Sequence, residues 1–305
     1  MSTLSVIQPV SVAIRRTRRI LFEPFVLSKW LKLGFCSFLM GGVPASSWGV
    51  GRPGGEFGSG RRGIQADAAL SWFQENASIA LPVTSLVVVL VVALGLLLTW
   101  LSSRGRFMLL DGVVRNRGAI SVPWQEYRRE ANSLFRFRLV FGLISLFLLV
   151  LILAACLAVL LLEGPAAAPS IRLVILMACA LALFAWLAAT VLISMLLFDF
   201  VVPVMLRDRL PVLAAWRRVL EGLLRPHPGS VALYVVARFL LQVLIGVLAL
   251  MAVLLTCCLA SLPYLGSVIL LPLSLVEITY PLAFLAQLGP DWQLLPPERQ
   301  TPASI

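Results

Sequence analysis

The sequence predicts an all-α protein, a polytopic bundle of transmembrane helices with basic amphipathic elbow helices at one membrane face. Three observations predict it. Hydrophobic residues fill 60% of the 305 positions and charged residues only 13%, against roughly 45–50% and about 25% in ordinary soluble domains. The apolar residues are gathered into long runs. The charges lie between those runs and are mostly arginine, for a net charge of +11. Lipid rather than water must surround most of such a chain, so its organisation is counted in spans.

Residues 1–32 form a basic segment with an interfacial helix. Arg15, Arg16, Arg18, Arg19, Lys29 and Lys32 stand there against Glu23 alone. Thr17-Arg18-Arg19 before an apolar stretch has the outline of a twin-arginine export signal, but Lys29 and Lys32 would interrupt the apolar region such a signal needs, so the segment reads as a basic anchor. Residues 33–50 are apolar but carry Gly41, Gly42, Pro44, Ser46 and Ser47. Hydropathy alone would lay them in the interface. Topology argues that they cross, because the segments on either side of residues 81–101 are both arginine-rich and both belong on the cytoplasmic face.

The remaining spans are 81–101, 139–162, 173–198, 231–260 and 262–288. A helix needs about 20 mainly apolar residues to cross a bilayer, and each run supplies them. The scheme is six spans over 33–288 with both termini cytoplasmic, and its alternative is five spans plus one interfacial helix. The glycine-rich linker 51–63 has neither helix nor strand periodicity and reads as flexible. Residues 289–305, with Pro290, Pro296, Pro297 and Pro302, read as a disordered tail.

Two elbows are amphipathic. In 124–138, Trp124, Tyr127, Ala131, Leu134 and Phe135 share a face; in 212–225, Leu213, Trp216, Leu220, Leu223 and Leu224 do. Such faces turn toward acyl chains or toward the bundle. Trp30, Trp124 and Trp216 each open a basic stretch followed by two apolar runs, which suggests three repeated units. Tryptophan and arginine at membrane interfaces produce the same pattern without any repeat.

Charged residues within apolar runs mark candidate sites. Asp199 follows directly on the run 173–198, Arg238 lies in the run 231–260 and Glu277 in the run 262–288, with Gln242 one turn beyond Arg238. Arg238 can reach either acid, and the four residues could hold an ion, a proton or a lipid headgroup. The plainer alternative is a structural ion pair, or an arginine snorkelling to the interface. Arg104, Arg106, Arg115 and Arg117, with Arg128, Arg129, Arg217 and Arg218, are candidate headgroup contacts, since the planar guanidinium suits phosphate. Equally, they could serve orientation alone.

The rest of the inventory is negative. Of five cysteines none forms a CxxC, and the one histidine, His227, sits between prolines. No disulfide framework, metal site, cofactor or catalytic residue is expected. No nucleic-acid motif accompanies the positive charge, so membrane lipids, anionic ones above all, are the expected partners, with other membrane proteins as a further class.

The run WLSSRGRFMLLDGVVRNRGAISVPWQEYRREANSLFRFRLVFG (100–142) resembles a group of uncharacterised bacterial multipass proteins, and FEPFVLSKWLKLGFCSFLMGG (22–42) resembles their N-terminal segment. That group is distantly similar to the membrane domain attached to some glycerophosphodiester phosphodiesterases. The resemblance implies a helical bundle in a bacterial cytoplasmic (inner) membrane. It does not imply phosphodiesterase activity, which belongs to a soluble barrel with acidic metal ligands and paired histidines. The expected function is a non-enzymatic, membrane-organising or lipid-interacting one; the alternative is a transporter or lipid-moving protein built on the charged cluster.

Overall fold

A computed structural model of the chain describes residues 5–23, 25–41, 77–118, 120–162, 169–256 and 262–295. Its helices are α1 (Gln8–Phe22), α2 (Leu27–Gly41), α3 (Ala77–Val114), α4 (Ser121–Glu126), α5 (Arg128–Leu162), α6 (Pro169–Leu196), α7 (Val202–Asp208), α8 (Val212–Val219), α9 (Pro228–Leu255), α10 (Pro263–Ile269) and α11 (Leu271–Leu285). A wide π-turn, Leu197–Val201, joins α6 to α7, and a second, Leu220–Leu224, continues α8. The fold is an all-α bundle.

Among the described residues, five stretches are long and apolar enough to cross a membrane: Leu81–Val114, Arg128–Val159, Arg172–Asp208, Pro228–Leu255 and Leu271–Leu288. Of the predicted span 33–50, residues 33–41 are the second half of α2, a helix of 15 residues. The remaining nine, and the linker 51–63, lie outside the described residues.

The molecule has two unlike ends. At one end the helices are bare rods. Large apolar side chains from Leu81 to Leu97, Val140 to Val159, Leu173 to Leu192 and Val236 to Leu255 are exposed. Water would not tolerate so large an apolar surface, so these rods stand in lipid. The other end is a packed base with a core like that of a soluble domain. Phe200, Tyr234, Tyr280 and Phe284 are fully buried there, with Tyr234 4.7 Å from Phe200, 5.3 Å from Tyr280 and 4.6 Å from Phe284 between ring centroids. Burying each such side chain contributes about 1.5–3 kcal/mol. The last span is the least apolar, with a mean hydropathy of 1.4 against 2.4 to 3.0 for the others, because half of it is enclosed by this base.

α2 runs antiparallel along the base half of α3. Ser102 Oγ donates to the Met40 carbonyl at 2.8 Å. A Cβ on Gly105 would lie 2.7 Å from both Leu39 Cβ and the Met40 nitrogen, and one on Gly112 would lie 2.6 Å from Leu33 Cδ2. Two glycines seven residues apart on one face of α3 thus let the α2 backbone come close. α10 closes on the other side of α2, where Trp30 Nε1 donates to the Val268 carbonyl at 3.0 Å. α1 lies against α11.

Both described ends of the chain meet at the base. Ser5 N donates to Gln287 Oε1 at 2.8 Å and Gln287 Nε2 to Ser5 O at 2.7 Å. α3 nevertheless begins at the rod end: Ala77 is about 37 Å along the helix from Ser102, at 1.5 Å per residue.

Two expectations are corrected. Residues 289–295, assigned to a disordered tail, fold back on the base. Pro290–Trp292 is a tight helical turn, the Trp292 ring packs directly on Gly222, Arg207 Nη2 donates to Pro290 O at 3.4 Å, and Leu295 is buried. The 296–305 remainder lies outside the described residues. The elbow 124–138 is also not one helix. It breaks at Tyr127, and its second part is the first three turns of α5. Tyr127, Ala131 and Leu134 face the protein core rather than acyl chains, because α3 fills the space beside them. In the second elbow the buried face is Val212, Ala215, Val219 and Leu223; of the predicted face only Leu223 is fully buried, and Leu213 is exposed. The periodicity was sound, but Val and Ala, not Leu, face inward where helices pack closely.

The three tryptophans take three different settings. Trp30 bonds α10, Trp124 lies edge-on to Trp100, and Trp216 sits beside Phe137.

Candidate functional site

Two groups of charges occupy the base, and both grow out of breaks in helices. The first is held by Asp111, fully buried near the end of α3. α3 stops there because Asn116 adopts a left-handed φ of 52°, a conformation that asparagine accepts more readily than most residues. The turn brings Arg115 and Arg117 back onto Asp111: Arg117 Nε lies 2.7 Å from Oδ2 and Arg115 Nε 3.2 Å from Oδ1. Tyr127 Oη donates to the same carboxylate at 3.0 Å. Glu126 takes Arg115 and Arg117 at 3.0 and 3.2 Å. It also bonds Arg209, whose left-handed φ of 55° ends α7 and turns the side chain over the Tyr127 ring.

Burial alone would raise the Glu126 carboxyl, but the hydrogen bonds and charges of Arg115 and Arg209 outweigh it and hold the group below its ordinary range. Burial, then the charge of Asp111, pushes Tyr127 up to about 12. Asp111, Glu126 and Glu130 face Arg115, Arg117 and Arg209, so this group is neutral as a whole. Arg115 and Arg117 are occupied by carboxylates and are not open headgroup contacts.

The second group contains the predicted trio. The π-turn at Leu197–Val201 swings Asp199 inward, where Arg238 Nε and Tyr234 Oη both donate to its Oδ2 at 2.9 Å. Arg238 Nη2 donates to Glu277 Oε1 at 3.0 Å. Arg238 therefore joins α6, α9 and α11 through a single guanidinium, and its Nη1 is sealed without a partner. Gln242 stands apart: it is exposed and, among the described residues, bonds nothing in the trio. Leu241 and Ile245 beside it on α9 stay buried, so Gln242 falls on the outward side of the helix and the fourth predicted member is removed from the cluster.

Two arginines neighbour this trio: Arg106, which sequence reasoning set among the headgroup contacts and not beside the trio, and Arg138, which it missed. The Arg106 guanidinium lies 3.5 Å from the centroid of the Phe198 ring and that of Arg138 5.4 Å from the same centroid. Arg138 Nη1 also donates to Ser103 Oγ at 3.1 Å and Ser102 Oγ at 3.3 Å. Arg106 feels the charges of Arg138, Arg238, Asp199 and Glu277, yet among the described residues it has no carboxylate partner and its Nε is sealed and unbonded. A signal was present. Arg138 immediately precedes the charge-free run 139–162, Phe198 is the last residue of the run before Asp199, and Tyr234 lies one turn before Arg238. Three guanidiniums against two carboxylates leave this group with one uncompensated positive charge.

The other predicted contacts separate into two kinds. Arg104 is buried between Trp100 and Trp124, 4.4 and 4.6 Å from their ring centroids. Arg128, Arg129, Arg217 and Arg218 are exposed, and Arg218 pairs with Asp208 at 3.0 Å. A concavity of about 490 Å³ lies beside them, lined by Arg129, Glu130, Asn132, Ser133, Arg136, Arg209, Leu210 and Pro211. A second, of about 560 Å³, lies between the Arg115–Asn116 turn and the folded-back tail. Neither is lined by the trio.

The level of the charges follows from the rods. On α5 the exposed stretch Val140–Val159 is about 29 Å long at 1.5 Å per residue, close to the roughly 30 Å of a bilayer's hydrocarbon. Arg138 stands just beyond it. Through Phe198 and Asp199, Arg106 and Arg238 share that level.

No curated protein and no solved structure matches this chain. The model of a family of unknown function (DUF7544) matches residues 4–290, nearly the whole sequence, and the chain belongs to that family.

Proposed function

We propose that the protein is a non-enzymatic, lipid-interacting component of a bacterial cytoplasmic membrane that gathers anionic lipid around its basic end, with both termini on the cytoplasmic side. The observation that carries this is the arginine layer at the foot of the bare rods. Arg128, Arg129, Arg136 and Arg217 are exposed there and have no carboxylate partner among the described residues. Anionic headgroups in the cytoplasmic leaflet attract such a layer, and the same charge fixes its side of the membrane. Residues 100–142 resemble a group of uncharacterised bacterial multipass proteins, and the distant similarity of that group to the membrane domain of some glycerophosphodiester phosphodiesterases is in keeping with a lipid-facing role.

The alternative is a transporter built on the trio. Against it, Asp199, Arg238 and Glu277 are closed on one another by hydrogen bonds, and neither concavity reaches them. That arrangement favours a clasp between helices over a path for an ion.

The test is reconstitution into bilayers containing both phosphatidylglycerol and phosphatidylcholine, with the boundary lipid counted by spin-labelled analogues of each. The protein should prefer the anionic analogue, less so at high salt. The combined variant R128Q/R129Q/R136Q/R217Q should lose most of that preference. Equal boundary occupancy by both lipids in the unaltered protein would end this reading.

A further inference from the structure

We propose that Arg106 and Arg138, set against Phe198, form a specific site for one phosphate group, supplied by an anionic membrane lipid. This deepens the lipid-binding reading and rests on it, but it depends on different residues from the exposed arginine layer.

The argument is one of missing partners. Elsewhere among the described residues of the base, the arginines at the two acidic groups are matched, and Arg104, which has no carboxylate, is enclosed between Trp100 and Trp124 and donates to Asn132 Oδ1 at 3.5 Å. Arg115, Arg117 and Arg209 meet three carboxylates, and Arg238 meets two. Arg106 meets none among the described residues, and what holds it is a ring face at 3.5 Å. A cation held over an aromatic face keeps its edge free, because the ring takes the flat side of the guanidinium. Arg138 approaches the same ring, so two like charges are held near one another, while Asp199 and Glu277, bonded to Arg238, act on Arg106 only at a distance. In a site screened by α3, α5 and the end of α6 such a pair repels itself, and an anion at the junction relieves it.

The chemistry of that anion is constrained. Arginine forks bind the oxygens of phosphate in pairs. Ser102 and Ser103, already bonded to Arg138 Nη1, fix one guanidinium in orientation. The site lies at the level where the exposed apolar stretch of α5 begins, which is where a lipid carries its phosphate while its chains lie along the rods. Arg106, Arg138 and Phe198 are each partly exposed, so the site is not sealed. A carboxylate ligand would need no such level, and a free phosphate would have no use for the apolar surface above.

The experiment uses the full chain purified in a maltoside, which contributes no phosphate. Native mass spectrometry counts phosphatidylglycerol retained through repeated washing, and isothermal titration with inorganic phosphate tests the free ion. The unaltered protein should retain one lipid, with retention lowered about tenfold or more in R106Q and in R138Q, the size expected for a lost charged hydrogen bond. R106K keeps the charge without the fork and should also retain less lipid, while its far-UV circular dichroism and size-exclusion profile stay those of the parent. That variant separates loss of the site from loss of the fold.

The combined variant R128Q/R129Q/R136Q/R217Q should lose bulk anionic preference yet keep the one retained lipid. If retention instead follows those exposed residues and ignores Arg106 and Arg138, the site is refuted while the broader lipid-binding reading stands. Heat of binding with inorganic phosphate but no retained lipid would refute the lipid as the source. Neither retention nor heat would refute the site altogether.

Discussion

Replacing Arg238 by methionine removes the guanidinium that bonds both Asp199 and Glu277. Asp199, with 7% of its side chain exposed, then keeps only the Tyr234 hydroxyl, and Glu277, 31% exposed, keeps nothing described. Breaking a buried pair from one side costs about 3–5 kcal/mol, because a charge is left without its partner. Glu277 is open enough for water or a headgroup to reach it, so the lower end applies. A loss of about 3 kcal/mol is more than a hundredfold in the folded ratio, at tenfold per 1.4 kcal/mol. The assay is reversible unfolding in maltoside micelles by added dodecyl sulfate, followed by circular dichroism. The decisive comparison is with D199N/R238M/E277Q, in which no member of the trio is left charged. Removing a whole buried ion group is often neutral, so the triple variant should recover to within about 1 kcal/mol of the parent. A single variant as stable as the parent, or a triple variant as unstable as the single, would refute the view of the trio as a structural clasp.

Three further outcomes are expected. Gly105→Val should lower the unfolding midpoint, because its Cβ would meet the Met40 backbone nitrogen at 2.7 Å and overpacking of this kind costs about 1–3 kcal/mol; Gly142→Val, with open space around it, should not. Glu126, held below its ordinary value of 4.5, binds its proton more weakly in the folded protein. Its contribution is complete above that value and is lost as pH falls through the lower folded one, so an acid titration of stability should flatten in E126Q. Single cysteines placed at 20, 110, 220 and 295 in a cysteine-free chain should label from one side of the membrane and those at 60 and 167 from the other; labelling of 20 and 60 from the same side would exclude a sixth crossing.

The rods were legible in the sequence because a bilayer sets a minimum length and forbids stranded charge, and both constraints are local. Asp199, Arg238 and Glu277 were legible for the same reason, and Arg238 does reach both acids. The base was far less legible. Its packing depends on Gly105 and Gly112 meeting α2, a contact between segments some seventy residues apart that no periodicity announces. The choice between Arg115, absorbed by Asp111 and Glu126, and Arg128, left open, turns on how α3 ends at Asn116. One left-handed residue decided which arginines were spent internally. Gln242 misled because a one-turn spacing places it near Arg238 on the helix but does not say which side of α9 its neighbours cover, and Leu241 and Ile245 take the buried side.

The contrast between a packed base and bare rods has a mechanical meaning. A bilayer that thickens or thins must be followed by tilt in any helix that spans it, at a cost of fractions of a kcal/mol for each ångström of mismatch. In a bundle packed along its whole length that tilt would shear the core. Here the rods can splay or draw together above a foot fixed by the Arg238 clasp and the α2–α3 crossing. The protein is thus registered to one leaflet and compliant toward the other, so it can sit in membranes of different thickness without altering what it presents at its charged end.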